Sequence, residues 1–360
     1  MKAEHEGNGM KAVVYLSPGE VEVQERDRPP VNPGDVLLRV LSNTICGTDL
    51  RIARGIKRKG VIAPRILGHE VSAEVLELGA GASGIEIGDR VCVTPTFSCG
   101  ACTECQRGRF HQCQNARVLG HQVDGGLAEY LTVPADAVRK GALIPYSAEA
   151  DPVAMSLVEP LSCVLHGQQI LDVSVDDAVV IIGGGAIGLL HTRIAKVRGA
   201  KTVIVSEPVE YRREIARRFG ADVTVDPTNE DLEAVVAAHT SGQGADVIIV
   251  CIGIPVLVNQ ALALARNKGR VSLFAGFPSD QPAQVDANLV HYKELAVVGS
   301  SNSTSTDMRR AAGLIESGVV LAGQLITHRF ALDEFHEAVD LIASPHALKI
   351  AIIPGSQPTT

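Results

Sequence analysis

The chain has 360 residues, of which 46% are hydrophobic and 21% charged, with a formal net charge of −8. That length exceeds what one hydrophobic core organises and predicts two domains, and the ordinary apolar fraction excludes an intrinsically disordered chain. The acidic balance, an aromatic content of 3% and the absence of Trp argue against a nucleic-acid partner, and no apolar run reaches the roughly 18 residues of a membrane span, so a cytoplasmic protein is expected.

In chain order, residues 1–9 carry no apolar face, and Met10-Lys11-Ala12 repeats the opening Met1-Lys2-Ala3. We read them as a disordered N-terminal extension. Residues 10–168 then show short strands punctuated by Gly and Pro, at 35–41, 71–78 and 90–94, which predicts a barrel-like β domain. Within it lie four cysteines at tight spacing, Cys99-x2-Cys102-x2-Cys105-x7-Cys113, in a lobe at 97–115. A thiolate cluster with every position filled is the closed, structural type of zinc site. An iron–sulfur cluster and a pair of disulfides are the competing readings, and the long gap before Cys113 disfavours the cluster.

From residue 169 to about 300 the pattern changes to continuous apolar runs, at 178–182, 202–205, 246–252, 270–275 and 295–298, alternating with helical stretches. Strands buried on both faces look like this, so a doubly wound parallel sheet is predicted. Its first strand runs into Gly183-Gly184-Gly185-Ala186-Ile187-Gly188, with a helix over 186–197, a second strand, and Glu207 about twenty residues further on. This is the full context of a dinucleotide fingerprint: Gly183 for the turn, Gly185 for approach to the pyrophosphate, Gly188 for close helix packing, with Ile187 in the same loop. Glu207 predicts NAD rather than NADP, because a carboxylate repels a 2′-phosphate, although Arg212 is close enough in sequence to accommodate one. Residues 301–360 hold a loop, a helix around 307–317 and a strand at 349–353, and are expected to return to the first domain.

Three short constellations precede the fingerprint: Cys46-Gly47-Thr48-Asp49, Gly68-His69-Glu70 and Glu159-Pro160-Leu161-Ser162. One thiolate, one imidazole and one carboxylate upstream of a nicotinamide-type fold suggest a three-ligand zinc site with an open fourth position.

With these motifs the chain resembles the zinc-dependent medium-chain dehydrogenase/reductase superfamily, in its polyol (sorbitol-like) and threonine dehydrogenase branches, over essentially residues 10–354. The resemblance implies a GroES-like β-barrel catalytic domain, a Rossmann NAD-binding domain and two zinc ions per subunit, one catalytic and one structural. It implies Cys46 and His69 as catalytic-zinc ligands with Glu159 or Glu70 as the third, the two acids being unranked. It also implies that Thr48 takes the alcohol proton, and that the protein is a homo-oligomer, dimer or tetramer, acting on a small-molecule alcohol and its ketone with no nucleic-acid or membrane partner. The implied reaction is hydride transfer between a secondary alcohol, polyol or sugar-derived, and NAD; an anionic sugar acid, a sugar phosphate or a threonine-like amino alcohol is the alternative substrate, and a non-catalytic nucleotide-binding protein the remote one. Arg51 stands where many relatives carry a relay His, and Arg does not release its proton in this pH range, so that route is closed. Arg51, Arg54, Lys57, Arg58, Lys59 and Arg65 form a basic segment, read first as a solvated face and second as a recognition element for an anion. His121 is a candidate for the pocket lining.

Overall fold

In the computed structural model, residues 9–278 and 280–357 are described. Residues 1–8 of the predicted 1–9 extension lie outside them, while Gly9 belongs to the strand Gly9–Ser17. The chain divides into two compact units, one built from residues up to Glu159 together with those from Ser303 onward, the other from Pro160–Asn302. The sequence places these junctions at 168 and 300; the helix Val158–Ile170 runs across the first of them.

The first unit is β-rich. Its seven-stranded sheet runs in the order Leu143–Tyr146, Arg90–Val93, Glu70–Leu78, Val36–Thr44, Lys349–Ile352, Ile326–Phe330, with Tyr130–Val133 also pairing to Val36–Thr44. Two of these strands come from the C-terminal segment, so the tail supplies sheet to the unit that begins the chain. The inward side chains Val36, Leu38, Val40, Val71, Ala73 and Val91 alternate along their strands and are at most 2% exposed, as a half-buried antiparallel sheet requires. A second cluster joins Ile45, Leu50 and Leu67, which flank Cys46 and His69 in sequence, to Leu127, Phe335 and Ile350. Each such side chain contributes about 1.5–3 kcal/mol on burial, so the ligands stand on a packed base.

Glycine is required at one point of this frame. Gly68 has φ of +94°, and a Cβ there would lie 2.7 Å from both Asn43 Oδ1 and the Leu127 backbone nitrogen. Only a residue without a side chain lets the chain turn here and deliver His69 and Glu70 side by side.

The second unit carries a six-stranded parallel sheet in the order Val223–Val225, Thr202–Ser206, Ala178–Ile182, Ala245–Val250, Ala265–Leu273, Ala296–Gly299. Numbered by sequence within the sheet this is the 3-2-1-4-5-6 order of dinucleotide-binding folds, with the topological reversal beside the first strand. All five residues of Ala178–Ile182 are buried, which explains why the strand reads as an unbroken apolar run. The helix Ala186–Val197 buries Leu189, Leu190, Ile194 and Ala195 on its inner face and stops where Gly199, at φ +93°, takes the left-handed conformation. Among the described residues no helix is long and apolar enough to cross a membrane.

Candidate active site and metal centres

Cys46 is the N-cap of the short helix Gly47–Ala53, with extended backbone (φ −96°, ψ 150°). Its sulfur accepts from the Thr48 backbone N–H at 3.5 Å, while its own N–H donates to Asp49 Oδ2 at 2.9 Å. That reciprocal cap fixes the thiol at the start of the helix. The other oxygen of Asp49 lies 3.2 Å from His69 Nδ1, off the ideal hydrogen-bond line, yet neither atom has another partner among the described residues. Asp49 therefore holds the His69 ring by one nitrogen and leaves Nε2 for a ligand, the arrangement in which a carboxylate orients a metal-binding imidazole. Burial opposes the protonated form of His69, but Asp49 and Cys46 more than offset it and raise its pKa well above the ordinary value. Burial likewise pushes Asp49 upward, and His69 beside it brings the net shift down.

Glu70 starts the strand Glu70–Leu78 and lies opposite Thr44, whose hydroxyl donates to Glu70 Oε2. Lys349 approaches from the C-terminal segment: its Nζ sits 2.5 Å from Glu70 Oε1 and 3.3 Å from the Ile45 carbonyl oxygen. Both side chains are buried, 1% exposed for Glu70 and 7% for Lys349, so each charge relies on the other.

Donor atoms of Cys46, His69 and Glu70 lie within 4.8 Å of one another. A half-buried thiol, an imidazole with a free face and a carboxylate form a donor set that fits zinc with one position to spare. Glu159, the other acid named from sequence, is outside that set; it is buried in the first turn of Val158–Ile170 and acts on Lys349 through its charge. Thr48 is half-buried two residues beyond Cys46, on the first turn of the same helix.

The second cluster is Cys99, Cys102, Cys105 and Cys113, whose donor atoms again lie within 4.8 Å of one another. All eight cysteines are free thiols, and Cys102 Sγ is 3.5 Å from Cys105 Sγ and 3.8 Å from Cys113 Sγ. Those separations far exceed a disulfide and match the edge of a tetrahedron with sulfur about 2.3 Å from its centre. Backbone N–H groups of Ala101 and Cys102 donate to Cys99, lowering its pKa to about 6 and favouring the thiolate a metal needs.

In the parallel-sheet unit the fingerprint loop closes as its glycines require. A Cβ at Gly188 would lie 1.8 Å from the Gly183 carbonyl oxygen, so strand and helix approach as they do only with hydrogen there. At Gly185, the N-cap of Ala186–Val197, a Cβ would meet nothing within 4 Å and the helix receives no side-chain cap. An open, uncapped helix N-terminus of this kind is a cradle for phosphate. Ile187 is half-buried in the first turn. Glu207, 4% exposed at the end of the second strand, accepts from Gly184 N–H at 2.7 Å and Val209 N–H at 3.0 Å, which puts its carboxylate against the glycine loop. Arg212 is half-buried on Glu210–Arg218. Its neighbour Arg213 is the one that donates to the Glu207 carbonyl oxygen, at 2.7 Å, and pairs with Glu210 and Asp226.

Sequence reasoning gave no role to Asp49, Lys349 or Arg213. The signal for Asp49 was available, three residues after Cys46 at the capping-box spacing. Lys349 had none, since 279 residues separate it from Glu70.

A thiolate–imidazole–carboxylate cluster in one unit and a dinucleotide-type sheet in the other define a metal- and nicotinamide-dependent oxidoreductase. The chain matches the family models described as alcohol dehydrogenase GroES-like domain, over residues 32–145, and zinc-binding dehydrogenase, over residues 186–317. It is 35% identical over 352 residues to the L-threonine 3-dehydrogenase of Pyrococcus horikoshii, covering 96% of this chain and 98% of that one. It is 33% identical over 353 residues to a sorbitol dehydrogenase of Halalkalibacterium halodurans, covering 96% and 99%. A solved structure from Sinorhizobium meliloti, described as a zinc-binding dehydrogenase bound to NADP, superposes with a TM-score of 0.89 at 34% identity, covering 97% of this chain and 100% of that one. The chain belongs to the zinc-binding dehydrogenases.

Proposed function

We propose that this protein interconverts a secondary alcohol and its ketone with NAD, using Cys46, His69 and Glu70 to hold a catalytic zinc and the four-cysteine lobe to hold a structural one. The observation that carries the reading is the gathering of Cys46, His69 and Glu70 donor atoms within 4.8 Å in a chain that also presents the open glycine loop and Glu207. When bound, zinc lends Lewis acidity that makes an alcohol hydroxyl easier to ionise, and the nicotinamide accepts or returns hydride.

The residues of the chain set the conditions for that chemistry. Asp49 fixes the tautomer of His69, and the Thr48 amide steadies the Cys46 thiolate. Lys349 neutralises Glu70 and keeps a second negative charge from collapsing onto the site. We assign Thr48 Oγ1 as first acceptor of the alcohol proton, since it lies on the turn that carries Cys46. Arg51, which stays protonated, closes the onward side-chain route and leaves water as the exit. Glu159 contributes charge beside Lys349 rather than a ligand. Glu207, pinned by two backbone donors, is suited to a ribose 2′-hydroxyl and unsuited to a 2′-phosphate, which favours NAD.

A cytoplasmic, homo-oligomeric enzyme completes the reading. Eight free thiols suit a reducing compartment, and Ala296–Gly299, an edge strand of the parallel sheet, offers unpaired backbone to a second copy. Light scattering that returned only monomer would remove the oligomer.

The activity is tested by NADH formation from zinc-replete protein across polyols, sugar acids and threonine, before and after a strong chelator. Chelator-sensitive reduction of NAD is expected. Silence with every secondary alcohol and with both NAD and NADP, at two zinc ions per chain, would overturn the proposal.

A further inference from the structure

The basic segment following the Cys46 helix separates into groups that are satisfied and groups that are not. Arg58 donates to the Gly55 carbonyl oxygen at 2.9 Å and Arg65 pairs with Asp124 at 2.9 Å. Arg54 and Lys59 are exposed and solvated. Lys57 differs from these: like Arg51 it is half-buried with no side-chain hydrogen bond or ion pair among the described residues, and it is the cation whose charge acts most strongly on His121. Asp49, a carboxylate that acts on Lys57, is committed to His69 and to the Cys46 amide.

Lys57 is also firmly placed. The backbone N–H groups of Ile56 and Lys57 both donate to the Arg51 carbonyl oxygen, at 2.8 and 2.9 Å, which ties the residue to the helix that Cys46 caps. Further along, Ile62 N–H donates to the His121 carbonyl oxygen at 3.0 Å, and the Gln122 amide donates to the Gly60 carbonyl oxygen. The segment therefore spans from the Cys46 helix to His121. The His121 ring stands edge-on to His69 with centroids 6.2 Å apart; it is 8% exposed, and its Nε2 has no partner among the described residues. Lys57 is the charged side chain that acts most strongly on the His121 ring. Partial burial makes Lys57 a reluctant cation, with Cys46 and Asp49 near enough to counter that and Arg51 near enough to add to it.

Lys57, tied by its backbone to the helix that Cys46 caps, and the His121 ring, edge-on to His69, put a half-buried cation and a buried ring nitrogen without a protein partner among the described residues on one segment beside the metal-binding cluster. An anion would satisfy both.

We infer that Lys57 is the specificity-determining residue of this site, pairing with an acidic group of the substrate while His121 Nε2 supplies a second hydrogen bond, so that the enzyme's substrates are secondary alcohols bearing a carboxylate or phosphate. The inference rests on the dehydrogenase reading and narrows it. A neutral polyol leaves Lys57 unpaired, whereas an acid-bearing alcohol is held by a contact that only partial desolvation makes strong.

The test compares zinc-loaded full-length protein with its Lys57→Gln, Lys57→Arg and Arg54→Gln variants. The substrates are L-threonine, D-gluconate and glucitol 6-phosphate on one side, and sorbitol and 2,3-butanediol on the other. The ratio of kcat/KM for acid over neutral alcohol should exceed about tenfold in the wild type and fall by about tenfold or more in Lys57→Gln, mainly through KM, as loss of a charge-assisted contact implies. Lys57→Arg should keep most of the ratio, and Arg54→Gln all of it. Gluconate and glucitol 6-phosphate arms separate carboxylate from phosphate recognition. A wild-type ratio near or below one, an equal loss for both substrate classes in Lys57→Gln, or an equal effect from Arg54→Gln would overturn the proposal. Calorimetric binding of D-gluconate and glucitol 6-phosphate is read in parallel. If no alcohol turns over, the dehydrogenase reading fails, while weaker anion binding by Lys57→Gln still upholds the anion site; equal binding by wild type and Lys57→Gln overturns it whatever the turnover.

Discussion

His191 is a titratable residue whose surroundings make it structural. It is fully buried on the helix Ala186–Val197, with Nδ1 3.2 Å from the Gln168 side-chain nitrogen and its ring edge-on to Phe274 at 4.5 Å between centroids. Gln168 also donates to the His191 carbonyl oxygen at 2.8 Å, so the amide nitrogen faces the ring and His191 Nδ1 acts as acceptor. Burial lowers the His191 pKa to about 3 from the ordinary 6.5. The unfolded chain then binds the proton first, so the stability His191 contributes is complete above pH 6.5 and declines as pH falls toward 3. At pH 5 the loss amounts to about 2 kcal/mol. Denaturant melts of wild type and His191→Gln between pH 7.5 and 5 should show the wild type losing that much more stability. Parallel pH profiles would show that His191 is not the group responsible. Asp49 and Lys349 are the opposite case, ordinary residues in sequence that the fold makes into supports for His69 and Glu70.

At the scale of elements, the strand–loop–helix that opens the parallel sheet was legible almost to the residue. The strand Ala178–Ile182 and helix Ala186–Val197 coincide with the predicted spans, because a doubly buried strand, a glycine turn and an amphipathic helix each leave a local mark. The next strand was less legible: Ala265–Leu273 begins directly after the helix Val256–Leu264, before the apolar run starts, and its register shifts where Ala245 and Val247 face it. Polar Arg266, Asn267 and Lys268 mask that beginning, which pairing with a neighbouring strand alone defines. The loop's two glycines make different predictions. Gly185→Ala has room for its methyl and a backbone (φ −70°) that Ala adopts, so the protein should fold normally and bind NAD about tenfold or more weakly, the methyl occupying the phosphate cradle. Gly188→Ala collides with the Gly183 carbonyl oxygen and should lower stability by about 1–3 kcal/mol or more. Thermal unfolding with NAD titration distinguishes them; wild-type NAD affinity in Gly185→Ala would refute the cradle.

For the whole molecule, the proposed function divides the labour between stability and chemistry across two candidate metal clusters. Cys46→Ser should leave one zinc per chain, abolish turnover and shift the melting temperature little, because the ligand sits on a packed base of Ile45, Leu50 and Ile350. Cys102→Ser should also leave one zinc but lower the melting temperature clearly, since the lobe is built around its metal and binding energy there is folding energy. Metal analysis with calorimetry checks both, and equal thermal damage from the two would contradict the division. Residue types and short spacings settled which atoms are suited to zinc and nucleotide: the four cysteines lie within fifteen positions, and the glycine loop with its strand and helix within twenty. Only the tertiary structure decided how the distant pieces meet. It sets Glu70 rather than Glu159 in the cluster with Cys46 and His69, adds Lys349 from 279 residues away, and leaves Lys57 without a side-chain hydrogen bond or ion pair among the described residues. The physical reason is range: helix and strand periodicity, turns and caps are fixed by neighbours a few residues apart, whereas a buried charge finds its partner through strand pairing that closes across the whole chain.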